Sequence, residues 1–103
     1  MSEAAANRVE IGGALLMRDA LRYSPAAIPI LSLRLVHESV QIEADRERTV
    51  SAELSALAAG RVAEALDRVP LGSGLVLRGF LAPRSNRSRG LLLHVTEFRQ
   101  TEV

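Results

Sequence analysis

The chain of 103 residues has no cysteine, no tryptophan and no lysine. Without cysteine there is no disulfide scaffold, no iron–sulfur cluster and no Cys-ligated zinc. Aromatic residues are reduced to Tyr23, Phe80 and Phe98. No apolar run approaches the roughly 20 residues of a membrane span. The opening MSEAAANRVE has an acid where a secretion signal needs positive charge, so a cytoplasmic chain without membrane attachment is expected. Acids are missing between Asp67 and Glu97, a window that holds Arg68, Arg78, Arg84, Arg87 and Arg89.

What is present describes one globular unit. A hydrophobic share of 48% against 24% charged residues excludes global disorder. Folded, such a chain should expose roughly 5,600 Å² and bury about 65% of its extended surface, enough for a core without staples. A loose segment 1–6 followed by a single domain over 7–103 is expected.

Net charge is only +1, but it is unevenly placed. Residues 1–67 balance to −3 and residues 68–103 to +4. A basic stretch on a near-neutral domain points to one face meant for an anion. All thirteen cations are arginine, whose planar fork suits phosphates and whose flat face suits bases. The bland account of the missing lysine is codon composition, since Arg and Ala rise together in GC-rich genes.

Periodicity supplies the elements. In Asn7–Leu16, Val9, Ile11 and Leu15 alternate with Arg8, Glu10 and Gly12, the pattern of a half-buried strand. The Gly12-Gly13 pair suggests a bulge or tight bend at a barrel corner. Two prolines make Arg18–Pro29 a loop. Ile30–Glu43 alternates most clearly, with Leu31, Leu33 and Leu35 on one face. After the charged turn Ala44–Arg48, Thr49–Leu57 reads as a third strand, although Ala, Glu and Ser are poor strand formers. Within Ala56–Val69, the positions Leu57, Val62, Ala65, Leu66 and Val69 approach helical spacing, and Pro70 and Gly72 end that helix. Leu75–Ala82 and Leu91–Phe98 are the last strands, joined by the polar loop PRSNRSRG. The expectation is all-β: a five-stranded OB-fold barrel with one short helix between strands 3 and 4.

An enzyme is a poor fit. His37 and His94 lie inside strand patterns with no third metal ligand at matched spacing and no nucleophile motif. No Walker loop exists, and neither Gly12-Gly13 nor Gly72-Ser73-Gly74 opens onto a phosphate-binding helix. No catalytic residue, metal or cofactor is expected. Single-stranded nucleic acid suits the pattern better, because an OB barrel binds along a face bounded by two loops. Here these are Arg18–Pro29, with Arg18, Arg22 and Tyr23, and Pro83–Gly90, with Arg84, Arg87 and Arg89. Strand alternation adds Arg34 and Arg78. Phe80, following Gly79, reads as core, and Phe98 as core or interface. With so few aromatics, binding should be mainly electrostatic and poor at discriminating bases.

Asn7-Arg8-Val9 followed by Leu21-Arg22-Tyr23-Ser24-Pro25 resembles the single-stranded DNA-binding protein superfamily. Ser24-Pro25-Ala26-Ala27-Ile28-Pro29, Ser39-Val40-Gln41, Gly79-Phe80 and Leu93-His94 are similar to its primosomal branch, the primosomal replication protein N (PriB) family. The likeness runs from Asn7 to Phe98. It implies an OB-fold homodimer that binds single-stranded DNA without cutting it. It also implies a place in replication restart, stabilising a PriA-type helicase on DNA and passing the complex to a further primosomal loading factor. By position, Arg22 and Arg48 match basic family sites, and Arg84–Arg89 matches the family's lysine-bearing loop. Val50-Ser51-Ala52 stands where the family can carry a DNA-contacting Trp, Glu38 where a basic residue would help, and Arg46 where an aromatic can occur. Two other functions stay open: an OB-fold adaptor with little DNA affinity, and an ordinary single-stranded DNA-binding protein lacking the Gly-rich linker and acidic tail, since the chain stops just past the last strand.

Overall fold

The computed structural model describes residues 3–101. Its elements are β1 (Val9–Arg18), β2 (Arg22–Tyr23), β3 (Pro29–Glu43), β4 (Arg46–Ala59), α1 (Arg61–Asp67), β5 (Gly74–Pro83) and β6 (Leu91–Gln100). A 3-10 turn at Glu3–Ala5 precedes them. Of the loose segment expected over 1–6, Met1 and Ser2 lie outside the described residues, whereas Glu3–Ala5 form that turn, closed by the Ala6 amide on Glu3 O.

The sheet runs β1-β5-β6-β4-β3, and a further β1–β3 pairing closes it into a barrel. All contacts are antiparallel except β4–β6, which is parallel over Ala56–Ala58. The five long strands are those the alternation indicates. The helix falls between β4 and β5, the third and fourth of those long strands, so the count moves by one only because of an added short strand. The added element is β2. A turn in which Ile28 O accepts the Ser24 amide folds Arg22–Tyr23 back onto Pro29–Ile30.

Each long strand sends alternate residues inward. Leu15, Leu31, Leu33, Leu35, Ala56, Ala58, Leu75, Leu77, Leu93 and Val95 fill the barrel. Helix α1 closes one end with Ala63 and Leu66, joined by Val69 just after it. Seven residues are too few for a helix to persist alone, so burial against β3, β4 and β6 holds it. The helix is shorter than its periodicity indicates because β4 continues to Ala59. Ala56 and Ala58 face the core between β3 and β6, and that pairing outweighs alanine's weak strand preference. Gly60, at φ +75°, breaks strand from helix, and its amide donates to Pro29 O at 2.9 Å.

The bulge expected at Gly12-Gly13 lies elsewhere. Both glycines keep register with Val76 and Leu75, and the ladder shifts instead between Leu15 and Met17. What Gly13 permits is close approach, because a Cβ there would sit 2.2 Å from Val36 O. Gly79 is tighter still, with a Cβ 1.7 Å from His94 O, beside the β5–β6 register shift.

The β3–β4 hairpin outruns the barrel. Its ladder continues to Glu43↔Arg46 around a two-residue turn, Ala44-Asp45, with φ of 53° and 62°, while β1 covers β3 only to Val36. Exposed surface is therefore 7511 Å², well above the roughly 5,600 Å² of a smooth globule. At the opposite side, Arg18 ties the end of β1 to the end of α1, donating to Val69 O and standing 3.7 Å from Asp67.

Two stability outcomes follow from these contacts. Gly79→Ala drives β5 and β6 apart and costs about 2–3 kcal/mol, whereas Gly12→Ala, with nothing nearer than 3.7 Å, costs under about 1 kcal/mol. Urea midpoints at constant m-value test the pair. Arg18→Ala forfeits a charged hydrogen bond and lowers stability by about 1–2 kcal/mol, while Arg87→Ala stays within about 0.5 kcal/mol of the parent.

Candidate nucleic-acid interface

The β1 bulge matters for the surface. By skipping Leu16 it pairs Met17 with Arg34, so the end of β1 lies against the outward row of β3. Across β3–β4, Ser32 faces Leu57 and Arg34 faces Ser55. Met17, Ser32, Arg34 and Ser55, with Arg18 and Asp19, form an open groove of about 480 Å³ that Leu92 and Arg84 wall on the β6 side. Arg22, on β2, donates to Ser32 Oγ at 3.1 Å and so stands at its edge. The groove thus brings Arg18, Arg22, Arg34 and Arg84 together.

Their availability differs. Arg18 is held by Val69 O and Asp67 and is only 23% exposed. Arg34 lies 3.5 Å from Glu53, with both side chains about half exposed, an arrangement worth little in water. Arg84, Arg87 and Arg89 have no ion pair among the described residues. Their loop is closed on itself: the Arg84 amide donates to Gly90 O at 2.9 Å, and Ser85 Oγ accepts the amides of Arg87 and Ser88. Serine and glycine satisfy the backbone, leaving the three guanidinium groups free for another anion.

Arg48 and Arg78 lie on other parts of the barrel surface, away from both the groove and the Arg84–Arg89 loop. Arg48 pairs with Glu43 at 2.7 Å near the hairpin tip, about 23 Å along the strands from Arg34. Arg78 lies on the far face between Glu10 at 3.2 Å and Glu97 at 3.4 Å. Hydrogen bonding to Glu10, then to Glu97, raises its pKa above the ordinary arginine value, so it stays charged at every working pH. Tyr23 on β2 is 64% exposed.

The histidines have ordinary partners. A carbonyl can only accept, so His37 Nδ1 donates to Gly12 O at 2.6 Å, and its Nε2 is hydrogen-bonded with Ser39 Oγ at 2.8 Å. Phe80 departs from the core position read for it. It points outward, 40% exposed, and stacks on His94 at 5.0 Å with the rings 8° from parallel. Its neighbours Leu77 and Leu81 share the inward phase, and that alternation already indicated Phe80's direction. Phe98 packs against the core from a half-buried position. Arg8, an exposed cation just before the first strand, lies in neither basic loop, so loop position does not mark it. Among the described residues there is no group of three His, Cys, Asp or Glu that could hold a metal, and no helix long and apolar enough to cross a membrane.

Residues 7–97 match the family described as another single-strand binding protein family. The replication restart protein PriB of Bordetella pertussis is 39% identical over 94 residues, covering 91% of this chain and 88% of the relative. That of Nitrosomonas europaea is 36% identical, covering 90% and 86%. In three dimensions the chain is similar to PriB from Ralstonia solanacearum, with a TM-score of 0.86, 34% identity, and coverage of 95% of this chain and 100% of that one. Wild-type single-stranded DNA-binding protein from Thermus aquaticus superposes with a TM-score of 0.76 at 26% identity, over 94% of this chain and 50% of that one. The barrel, the groove between its two loops and these likenesses together place the chain in the single-strand binding family, as a member of its PriB branch.

Proposed function

We propose that this chain is a non-catalytic, cytoplasmic single-stranded DNA-binding component of the replication restart primosome. One domain, residues 7–103, does the work, and neither metal nor cofactor is needed. The supporting observation is the loop of cations without an ion pair at Arg84, Arg87 and Arg89, of which Arg84 lines a groove that also holds Arg34 and, at its edge, Arg22. Phosphates replace water around these guanidinium groups and release counterions from the strand. Arg22, Tyr23 and Arg34 flank the path. Arg18, Arg48 and Arg78, engaged with carboxylates, contribute less.

The strand so held is presented to a PriA-type helicase. A helicase that touches both protein and DNA gains from an effectively intramolecular second contact, and the complex can then pass to a further loading factor. The working unit is a homodimer. The β1–β3 ladder begins only at Ala14, so Val9–Gly13 pair with β5 alone among the described strands. An isologous pairing of two such edges leaves the outer faces open and doubles the basic loops into one surface.

Fluorescence anisotropy of a labelled dT oligonucleotide over a salt series tests the proposal. Four to six phosphate contacts give a log–log slope of about −3 to −4. Replacing Arg84, Arg87 and Arg89 together with Ala weakens binding and makes the slope shallower by about 2, whereas Arg48→Ala alters it by less than about 0.5. A flat salt curve, or no binding at low salt, overturns DNA binding and leaves a protein adaptor built on the same barrel.

A further inference from the structure

We propose that Phe80 and His94 form a stacking platform for one nucleobase, with Arg8 beside it for the neighbouring phosphate. This site rests on single-stranded DNA being the ligand. In a chain with three aromatic residues, one is turned to solvent and already stacked flat on an imidazole. The core does not need it, because Leu77 and Leu81 of the same strand face inward.

The close approach of two strands builds the platform. Gly79 lies against the backbone of His94, and Phe80 is the direct cross-strand partner of His94. Ring therefore meets ring at 5.0 Å in an offset stack. Held this way, Phe80 loses little side-chain freedom when a third ring is laid on it. On the other side of β5, Val9 pairs with Gly79, and Asn7 extends the register by two residues to Leu81. Its Nδ2 donates to Leu81 O at 2.8 Å, and the Leu81 amide donates to Asn7 Oδ1 at 2.9 Å. Arg8 is thereby set next to Phe80, exposed and without an ion pair among the described residues.

Position and charge favour a nucleotide over a protein side chain. Leu92, in the wall of the arginine groove, lies two residues before His94 on the same face of β6, about 7 Å away. A strand leaving that groove reaches the aromatic pair directly. The adjoining carboxylates, Glu10 and Glu97, are closed on Arg78, so Arg8 is the cation left to meet a phosphate.

Labelled dT oligonucleotides and base-free strands of equal length, titrated against wild type, Phe80→Ala, Phe80→Leu, Phe80→Tyr and Arg8→Ala, decide the matter. Wild type should bind dT more tightly than the base-free strand. Phe80→Ala and Phe80→Leu should bind dT about 5- to 100-fold more weakly, with an unchanged salt slope and unchanged affinity for the base-free strand. Phe80→Tyr should match wild type, and Arg8→Ala should make the slope shallower by about 0.7. Phe80→Ala binding dT like wild type, with the Arg-loop slope intact, overturns the platform and leaves the arginine groove standing. Equal weakening on both strands overturns it too, as a structural effect. Wild type binding neither strand removes both the platform and the DNA-binding function.

Discussion

One strand has to serve two neighbours in succession. β1 pairs with β5 over Val9–Ala14 and with β3 over Ala14–Arg18, and without that exchange the sheet would stay open. Two features make it possible. Gly13 lets the backbones come closer than any side chain allows, and the register shift at Leu16 turns the strand end outward. Closure removes the edge between β1 and β3 over the barrel's middle, buries the leucine layer, and brings Met17 and Arg18 against Arg34. The groove is thus a by-product of how the barrel shuts.

Charge is sorted by the same geometry. Strand pairing puts Glu53 near Arg34, Glu43 near Arg48, and both Glu10 and Glu97 near Arg78, so these three cations are partnered by acids across the sheet. The arginines of the β5–β6 loop face no such partners. A near-neutral domain can therefore present a local positive surface while keeping its total charge low. Affinity built on such a surface depends on counterion release, and the proposed Phe80 platform would add the part of binding that salt does not screen.

Much of the fold was legible because a half-buried strand writes its environment into every second residue. Leu31, Leu33 and Leu35 could face only one way, and the five long strands followed from such runs. Boundaries were less legible where a short apolar segment suits both periods. Ala56–Ala59 is strand because Leu93 and Val95 lie beside it, a contact across more than thirty residues of sequence. The site was readable by type rather than by availability. Nothing local marks Arg78 as enclosed by two carboxylates, Arg18 as tied to a helix end, or Arg84 as unpaired. Phe80 differs for another reason: it follows the outward phase of its own strand against phenylalanine's general preference for burial.

By itself the sequence determined the class of structure, the inward faces of the strands, and the concentration of unopposed arginine after Asp67. Those properties reside in periodicity and composition, which neighbouring residues carry among themselves. Tertiary structure alone decided which cations are free, where β1 changes partner, and that Phe80 meets His94 beside Arg8. These depend on register between strands far apart in the chain, and a shift of one residue would reverse each of them.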